Sequence, residues 1–517
     1  MDKEILMGNE AVARGALEAG CRVAAGYPGT PSTEILETVA HTAPEIQAQW
    51  SPNEKVALEV AMGAALAGAR SMAVMKHVGL NVAADPLFTF SYTGVNGGLV
   101  IINADDPGPW SSQNEQDNRH YARAAKVPML EPADPEEARA MTRMAFDLSE
   151  QYDCPVIVRI TTRIAHSRGI VHMHTPQEIS LKPFVRDTRK YVMIPMHARL
   201  RHPVVESQLD VLSEVSNTSD LNRIEWGGRT RGIICDSVAY QYVREVCPAD
   251  SVLKIAMVWP LPDVLISEFA EAVDQLWVVE ELDPFIENYV KAMGYAVTGK
   301  TRLPVTGELT PDIVDQALND RPQTEVPVYP DSLPARPPKL CKHCPHSYVF
   351  EILRNLDLTV IGDIGCYTLA ALEPLNAMHT QTCMGASIGM LLGIEKARGP
   401  QAAERTVAVI GDSTFIHSGI TPLIDMIYNR GAGTVIVLDN RTTAMTGHQE
   451  NPASGKTLSG DPAPELDIEQ LARAVGVKRT VTLDPKDTAE LRRVIERETA
   501  SQEPSVIIAR RKCILKK

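Results

Sequence analysis

Three groups of residues in this 517-residue chain have side chains and spacings suited to chemistry. In the first, the apolar run 405–410 ends in Gly411 and Asp412. The run 434–438 ends in Asp439 and Asn440, with a helical stretch at 419–428 between the two. Strand, helix and strand in that order predict a parallel βαβ unit, which puts Asp412 and Asn440 at one carboxyl edge, where open α/β sheets bind ligands. A carboxylate, an amide oxygen and a nearby backbone carbonyl suit Mg²⁺, which fills its octahedron with phosphate oxygens and water. Gly411 and the small Ser413 let the backbone approach a diphosphate. The plainer alternative is a strand-to-helix turn capped by Asp412.

The second group is cysteine. Cys341 and Cys344 are spaced Cys-x-x-Cys ahead of a helical stretch at 348–356, Cys366 ends an apolar run at 358–365, and Cys513 follows another at 505–510. In a parallel sheet these four converge on the edge that carries Asp412. Convergent thiolates mean zinc or an iron–sulfur cluster, with His343 and His346 keeping zinc open, and unrelated buried thiols are the third alternative. Cys21, Cys154, Cys235 and Cys247 fall inside strands or helices and read as core. In the third group, a Gly/Pro-rich loop over 25–34 joins a strand to a helix starting at Pro31 after Thr30. Glu54 then opens a helix of small residues (Ala57, Ala61, Gly63, Ala64) that allows a backbone or a cofactor ring to come close. An exposed acid favoured by the helix dipole is the simpler reading of Glu54.

The elements that must position these groups alternate between short apolar strands and helices. Residues 99–103 and 154–159 read as buried strands with a helix at 136–150 between them, which predicts a parallel sheet covered by helices. The class is α/β. Residues 1–182 form a first α/β domain, 230–301 a smaller one with strands near 231–235, 252–258 and 275–281, and 340–517 a third comparable to the first. Between them, 183–229 reads as a basic connector lying over the surface, with a phosphate or partner contact as its alternative. Residues 302–339 are Pro-rich and read as a linker.

Acidic residues outnumber basic ones by 65 to 51, a net charge of −14, which argues against a nucleic-acid partner. No apolar run reaches the ~18 residues that span a membrane, and the polar start does not look like a signal peptide. A cytoplasmic location is expected, with the nine cysteines free or holding metal rather than paired.

Four strings together resemble a known family: Tyr27, Pro28, Gly29, Thr30, Pro31 and Ser32; Cys341-x-x-Cys344 followed by Pro345 and His346; Gly362 to Cys366; and residues 438–449. They are similar to the thiamine-dependent 2-oxoacid:ferredoxin oxidoreductases, and within these to the large (alpha) subunits of the indolepyruvate type. The resemblance implies two thiamine-diphosphate-binding domains, for pyrimidine and diphosphate, flanking a smaller transketolase-C-terminal-like domain. It implies Mg²⁺ on Asp412, Asn440 and the Thr442 carbonyl beneath the cofactor's diphosphate, with Gly411 and Ser413 beside it. Glu54 falls at the glutamate that contacts the aminopyrimidine ring, and Thr30 at a substrate-contacting threonine. Cys341, Cys344, Cys366 and Cys513 resemble the ligands of a [4Fe–4S] cluster. Arg119, Met445 and His448 are candidate substrate contacts.

The implied reaction is oxidative decarboxylation of an aryl 2-oxoacid such as indolepyruvate. Coenzyme A accepts the acyl group and ferredoxin the electrons, and a separate smaller subunit completes a dimer of heterodimers. Two departures stand out: Ser413 replaces the family's usual glycine, and the ferredoxin-like domain expected beyond Cys513 is missing. A non-oxidative thiamine-dependent decarboxylase and a non-catalytic scaffold are the competing functions.

Overall fold

Long runs of β-branched and aliphatic residues with no exposed position make the central strands, as expected where helices cover both faces of a parallel sheet. The computed structural model describes residues 2–321 and 337–516, which divide into two compact units. In the first unit, β1 (Lys3–Met7) pairs antiparallel with β8 (Arg168–His172). The main sheet contains β2 (Val23–Gly26), β3 (Gln47–Trp50), β4 (Ser71–Lys76), β5 (Leu99–Asp105), β6 (Met129–Leu130) and β7 (Val156–Thr161). Its order is β12-β6-β7-β5-β4-β2-β3, parallel throughout except for β12 (Met257–Trp259), which pairs antiparallel with β6. A smaller sheet, β13-β10-β11-β9, combines Gln275–Val279, Gly228–Asp236, Asp250–Ile255 and Arg223–Glu225.

Three sequence expectations change here. The single strand expected over 252–258 breaks at Ala256: β11 stays in the small sheet, while β12 crosses to the main one, and Glu131 N–H donates to the Ala256 carbonyl at 2.7 Å. One apolar cluster accordingly runs from Leu58 and Ile101 to Leu253 and Phe269, so the first and small sheets share a core. Within 183–229, the connector contains a 24-residue helix, Pro195–Thr218, that docks through buried Val205, Leu212 and Ser216. Its cations are largely consumed inside the chain: Lys190 and Arg201 both pair with Asp153, and Arg201 Nε also donates to the Tyr92 carbonyl. Of the expected linker, residues 302–321 belong to the small sheet's outer layer. Thr310 caps the helix Pro311–Asn319, Pro311 takes the first turn where its missing N–H is harmless, and Val314 and Leu318 pack with Leu303 and Leu309. A proline-rich count hides such a helix because proline serves equally at helix starts. Residues 322–336 of that linker lie outside the described residues.

The second unit is a five-stranded all-parallel sheet in the order β14-β15-β16-β18-β17: Thr359–Ile361, Thr406–Gly411, Thr434–Asp439, Ser505–Arg510 and Arg479–Leu483. Helices Pro345–Asn355 and Thr488–Thr499 help to cover one side, and Ala386–Arg398 and Ile420–Tyr428 the other. No helix among the described residues is long and apolar enough to cross a membrane.

Candidate functional site

In the second unit, β15 and β16 are in register from Val407 opposite Thr434 to Gly411 opposite Leu438, so Asp412 and Asn440 leave the sheet at the same edge. Asp412 is buried. Its Oδ1 accepts the Ser413 N–H at 2.8 Å, while Oδ2 has no hydrogen-bond partner among the described residues. Burial, aided by the neighbouring Asp439 carboxylate, pushes the Asp412 carboxyl up to about 7. An ionised carboxylate with an orphaned oxygen in such a place is unfavourable unless a cation meets it. Asn440 Oδ1 accepts the Thr442 N–H at 3.3 Å, and its amide donates to His346 Nε2 at 3.4 Å. The loop that follows closes through Thr443 N–H to the Gln449 carbonyl, and Thr443 Oγ donates to Ser413 Oγ at 2.9 Å. The donor set of one carboxylate, one amide oxygen and a buried threonine therefore fits a divalent cation.

The space above Gly411 is shaped by Tyr367, whose hydroxyl accepts the Gly411 N–H at 2.9 Å; a Cβ at Gly411 would lie 2.9 Å from the Tyr367 ring. Asp363, fully buried after β14, accepts the N–H groups of Gly385 and Ser387 where the helix Ala386–Arg398 begins. The repeat of Gly-Asp at 362–363 and 411–412 was the signal for it.

Every expected cysteine connects to this edge. Cys344 N–H donates to the Cys341 carbonyl, closing the turn ahead of the helix Pro345–Asn355, whose His346 reaches Asn440. Cys366 precedes Tyr367, and Cys513 N–H donates to the Asn440 carbonyl at 3.1 Å. Burial, and after it the neighbouring Cys344, Cys513 and Cys341, raises the Cys366 thiol to about 11. His346, pushed down to about 4 by burial, packs edge-on against Tyr367 and turns its Nε2 to Asn440. His448 lies with Nδ1 4.0 Å from Cys513 Sγ, and Met445 is exposed on the same loop.

In the first unit, the carboxyl ends of β2 and β3 hold the other expected residues, Thr30 and Glu54. The turn after β2 is fixed by Ser32, whose N–H and Oγ both donate to the Gly29 carbonyl at 2.8 Å, and by Asn9 Nδ2 donating to the Pro31 carbonyl. Half-buried Thr30 sits in that turn. Asn53 caps the helix Glu54–Leu66, and Glu54 is buried in its first turn. Lys76, which ends β4, lies against Gly29: a Cβ there would be 3.0 Å from Lys76 Cδ. Its Nζ donates to the Ser111 carbonyl at 2.8 Å; burial lowers the ammonium to about 8, against the pull of Asp106 and Glu54. Sequence reasoning missed Lys76, although a lysine closing an apolar strand at the ligand edge was a readable signal.

Glu54 keeps its place through Gly79. A Cβ at Gly79 would fall 2.7 Å from Glu54 Cγ and 2.9 Å from Oε1. Gly79→Ala should displace the carboxylate without unfolding the unit. We expect kcat/KM to fall by roughly 10²-fold, with the melting temperature nearly unchanged.

Arg119, expected to meet a substrate, is instead fully buried between the two sheets of its unit. Asp117, Asp236 and Glu280 take its Nε and Nη1 hydrogens, and Nη2 is shared among Asp117 and the carbonyls of Glu281 and Asp283. No donor is left for a ligand. Two of its three carboxylate partners, Asp236 and Glu280, come 117 and 161 positions later in the chain, which no local pattern displays.

Residues 14–220 match the family model described as pyruvate flavodoxin/ferredoxin oxidoreductase, thiamine diphosphate-binding, and residues 363–509 match the C-terminal binding domain of thiamine pyrophosphate enzymes. The indolepyruvate oxidoreductase subunit IorA of Archaeoglobus fulgidus is 40% identical, over 99% of this chain and 87% of its own length. The IorA subunit of Pyrococcus horikoshii is 39% identical over 99% and 86%. A solved 2-oxoglutarate:ferredoxin oxidoreductase from Magnetococcus marinus shares the fold over 62% of this chain and 65% of its own, with a TM-score of 0.53 at 18% identity. With the Asp412 edge and the Glu54 turn each inside a matched segment, the chain belongs to the IorA family and is the large subunit of a thiamine-diphosphate-dependent 2-oxoacid:ferredoxin oxidoreductase.

Proposed function

We propose that this chain, with a separate smaller subunit, oxidatively decarboxylates aryl 2-oxoacids of the indolepyruvate kind to acyl-coenzyme A and passes the electrons to ferredoxin through a [4Fe–4S] cluster. The relatives are named as a subunit of indolepyruvate oxidoreductase, which supports both the substrate class and the partner. The solved neighbour was obtained with coenzyme A, which supports the acyl acceptor. The observation that carries the reading is the orphaned Oδ2 of Asp412 on an edge tied by three separate links to the four cysteines.

Asp412, Asn440 and the Thr442 carbonyl would hold Mg²⁺ and through it a diphosphate, while Gly411 and Ser413 leave room for it. Bound thiamine diphosphate supplies an electron sink for loss of CO₂. Glu54 holds a proton at the aminopyrimidine ring. Cys341, Cys344, Cys366 and Cys513 would hold the cluster, whose part is one-electron transfer. Thr30 and Lys76 bind the substrate carboxylate, the task expected of Arg119. We place His448 beside the cluster and Met445 at the aryl end of the substrate.

The test is anaerobic ferredoxin or dye reduction by the complete complex with indolepyruvate, phenylpyruvate and pyruvate in turn. Faster turnover of the aryl acids supports the reading; CO₂ release without reduction would sustain a non-oxidative decarboxylase instead. Lys76→Met should raise KM for the 2-oxoacid by about tenfold or more with a smaller change in kcat, and Lys76→Arg should restore part of it, as expected for a lost charge-assisted hydrogen bond.

A further inference from the structure

The helix Pro195–Thr218 has two unlike faces. Val205, Leu212 and Ser216 are buried, Ser216 Oγ donates to the Pro260 carbonyl, and Gln208 Nε2 donates to the Tyr152 carbonyl, so this side is committed to its own unit. The opposite side carries Met196, Leu200, Val204 and Val211, spaced by four, four and seven residues and therefore on one stripe. Met196 is 62% and Leu200 60% exposed. Ile194, Val192 and Phe184 extend the apolar surface beyond the helix start. A stripe of this kind, on a chain none of whose described helices is long and apolar enough to cross a membrane, marks an interaction surface.

The charges along the stripe indicate what covers it. Arg199 and Asp210 lie on the same flank, both exposed, and neither forms an ion pair among the described residues. The amino-terminal half of the helix carries Arg199, Arg201 and His202, with Glu206 already paired to Lys126 and His202, and the carboxyl-terminal half carries Asp210 and Glu214. Two copies packed antiparallel about a two-fold axis near Val204 would set Arg199 of each against Asp210 of the other. They would also bury Met196 and Leu200 of one beside Val211 and Val204 of its mate. In an antiparallel helix pair, like flanks face each other, so both ion pairs form at once, as a self-complementary interface requires.

We propose that the helix Pro195–Thr218 is a homotypic interface through which a second copy of this chain docks antiparallel, with Arg199 and Asp210 pairing reciprocally. The interface stands apart from the catalytic reading and does not depend on it.

The test uses the complete complex of this chain with its smaller subunit, under anaerobic conditions. Val204→Cys, at the proposed axis, should be joined to its counterpart by a short bismaleimide well above the wild-type background. Ile5→Cys on β1, which is the more exposed of the two at 71% against 38%, should not. Arg199→Glu should slow the Val204→Cys linkage by about tenfold or more, and adding Asp210→Arg should restore it, with melting temperatures tracking folding. A Val204→Cys linkage no faster than that of Ile5→Cys would overturn the interface. Linkage unaffected by Arg199→Glu, or lost with it and not recovered in the charge-swapped double variant, would overturn the antiparallel register.

Discussion

Asp412→Asn is expected to abolish turnover and, at the same time, to make the cofactor-free chain more stable. The buried carboxylate has one oxygen without a partner and a second carboxylate, Asp439, beside it. Its rise to about 7 from an ordinary 3.8, at ~1.4 kcal/mol for each tenfold change in proton affinity, corresponds to a strain on the order of 4 kcal/mol in the ionised, cation-free state. An amide of the same shape carries no such penalty. The amide also gives a divalent cation less charge to bind, and the diphosphate loses its anchor. We expect 2-oxoacid oxidation to fall by roughly 10³-fold or more. Calorimetry should show the variant melting higher than wild type without cofactor, and only wild type gaining further on addition of Mg²⁺ and thiamine diphosphate. A variant that melts lower when cofactor-free would contradict the geometry.

Arg119→Met should instead cripple folding. Removing the guanidinium leaves Asp117, Asp236 and Glu280 uncompensated in the interior, which typically destabilises by about 3–5 kcal/mol. The wild-type cluster is already pH-sensitive. Burial raises Glu280, and raises Glu281 to about 7 from 4.5, so the folded form binds more protons than the unfolded chain between these values. With carboxyl pKa values raised on folding, their contribution to stability is full below about pH 4.5 and declines as pH rises through 7. Denaturant titrations at pH 5 and pH 8 should therefore show Arg119→Met losing more at pH 8. A stable variant with only a raised KM would return Arg119 to the substrate.

How far the sequence could be read depended on whether the signal was local. Asp412 and Asn440 each follow an apolar strand directly, and their parallel pairing is the only geometry a single helix between them allows, so their shared edge was legible. Cys366 and Cys513 come in the loops after β14 and β18 rather than at the strand ends expected for them, Cys366 opening a short helical turn. Tyr367, by contrast, acts through a contact with Gly411 made only when β14 lies beside β15. Arg119 was misread because arginine in a loop signals a ligand and a buried clamp equally, and only Asp236 and Glu280, far along the chain, decide between them. The helix at 311–319 was hidden because proline at a first helical turn and proline in a linker look alike in composition. Crossing of β12 into the main sheet reflects the shared core, which no strand-by-strand reading displays.

Substrate-dependent reduction of the proposed iron–sulfur cluster is the most direct measurement of the link between the two chemistries. The complex, purified anaerobically and loaded with Mg²⁺ and thiamine diphosphate, would be mixed with indolepyruvate and followed by electron paramagnetic resonance alongside iron and sulfide analysis. We expect about four iron atoms attributable to this chain, lost in Cys366→Ser, together with a reduced-cluster signal. Asp412→Asn should keep the iron but give no signal. Full turnover in an iron-free or zinc-loaded chain, or an undiminished signal in Asp412→Asn, would contradict it.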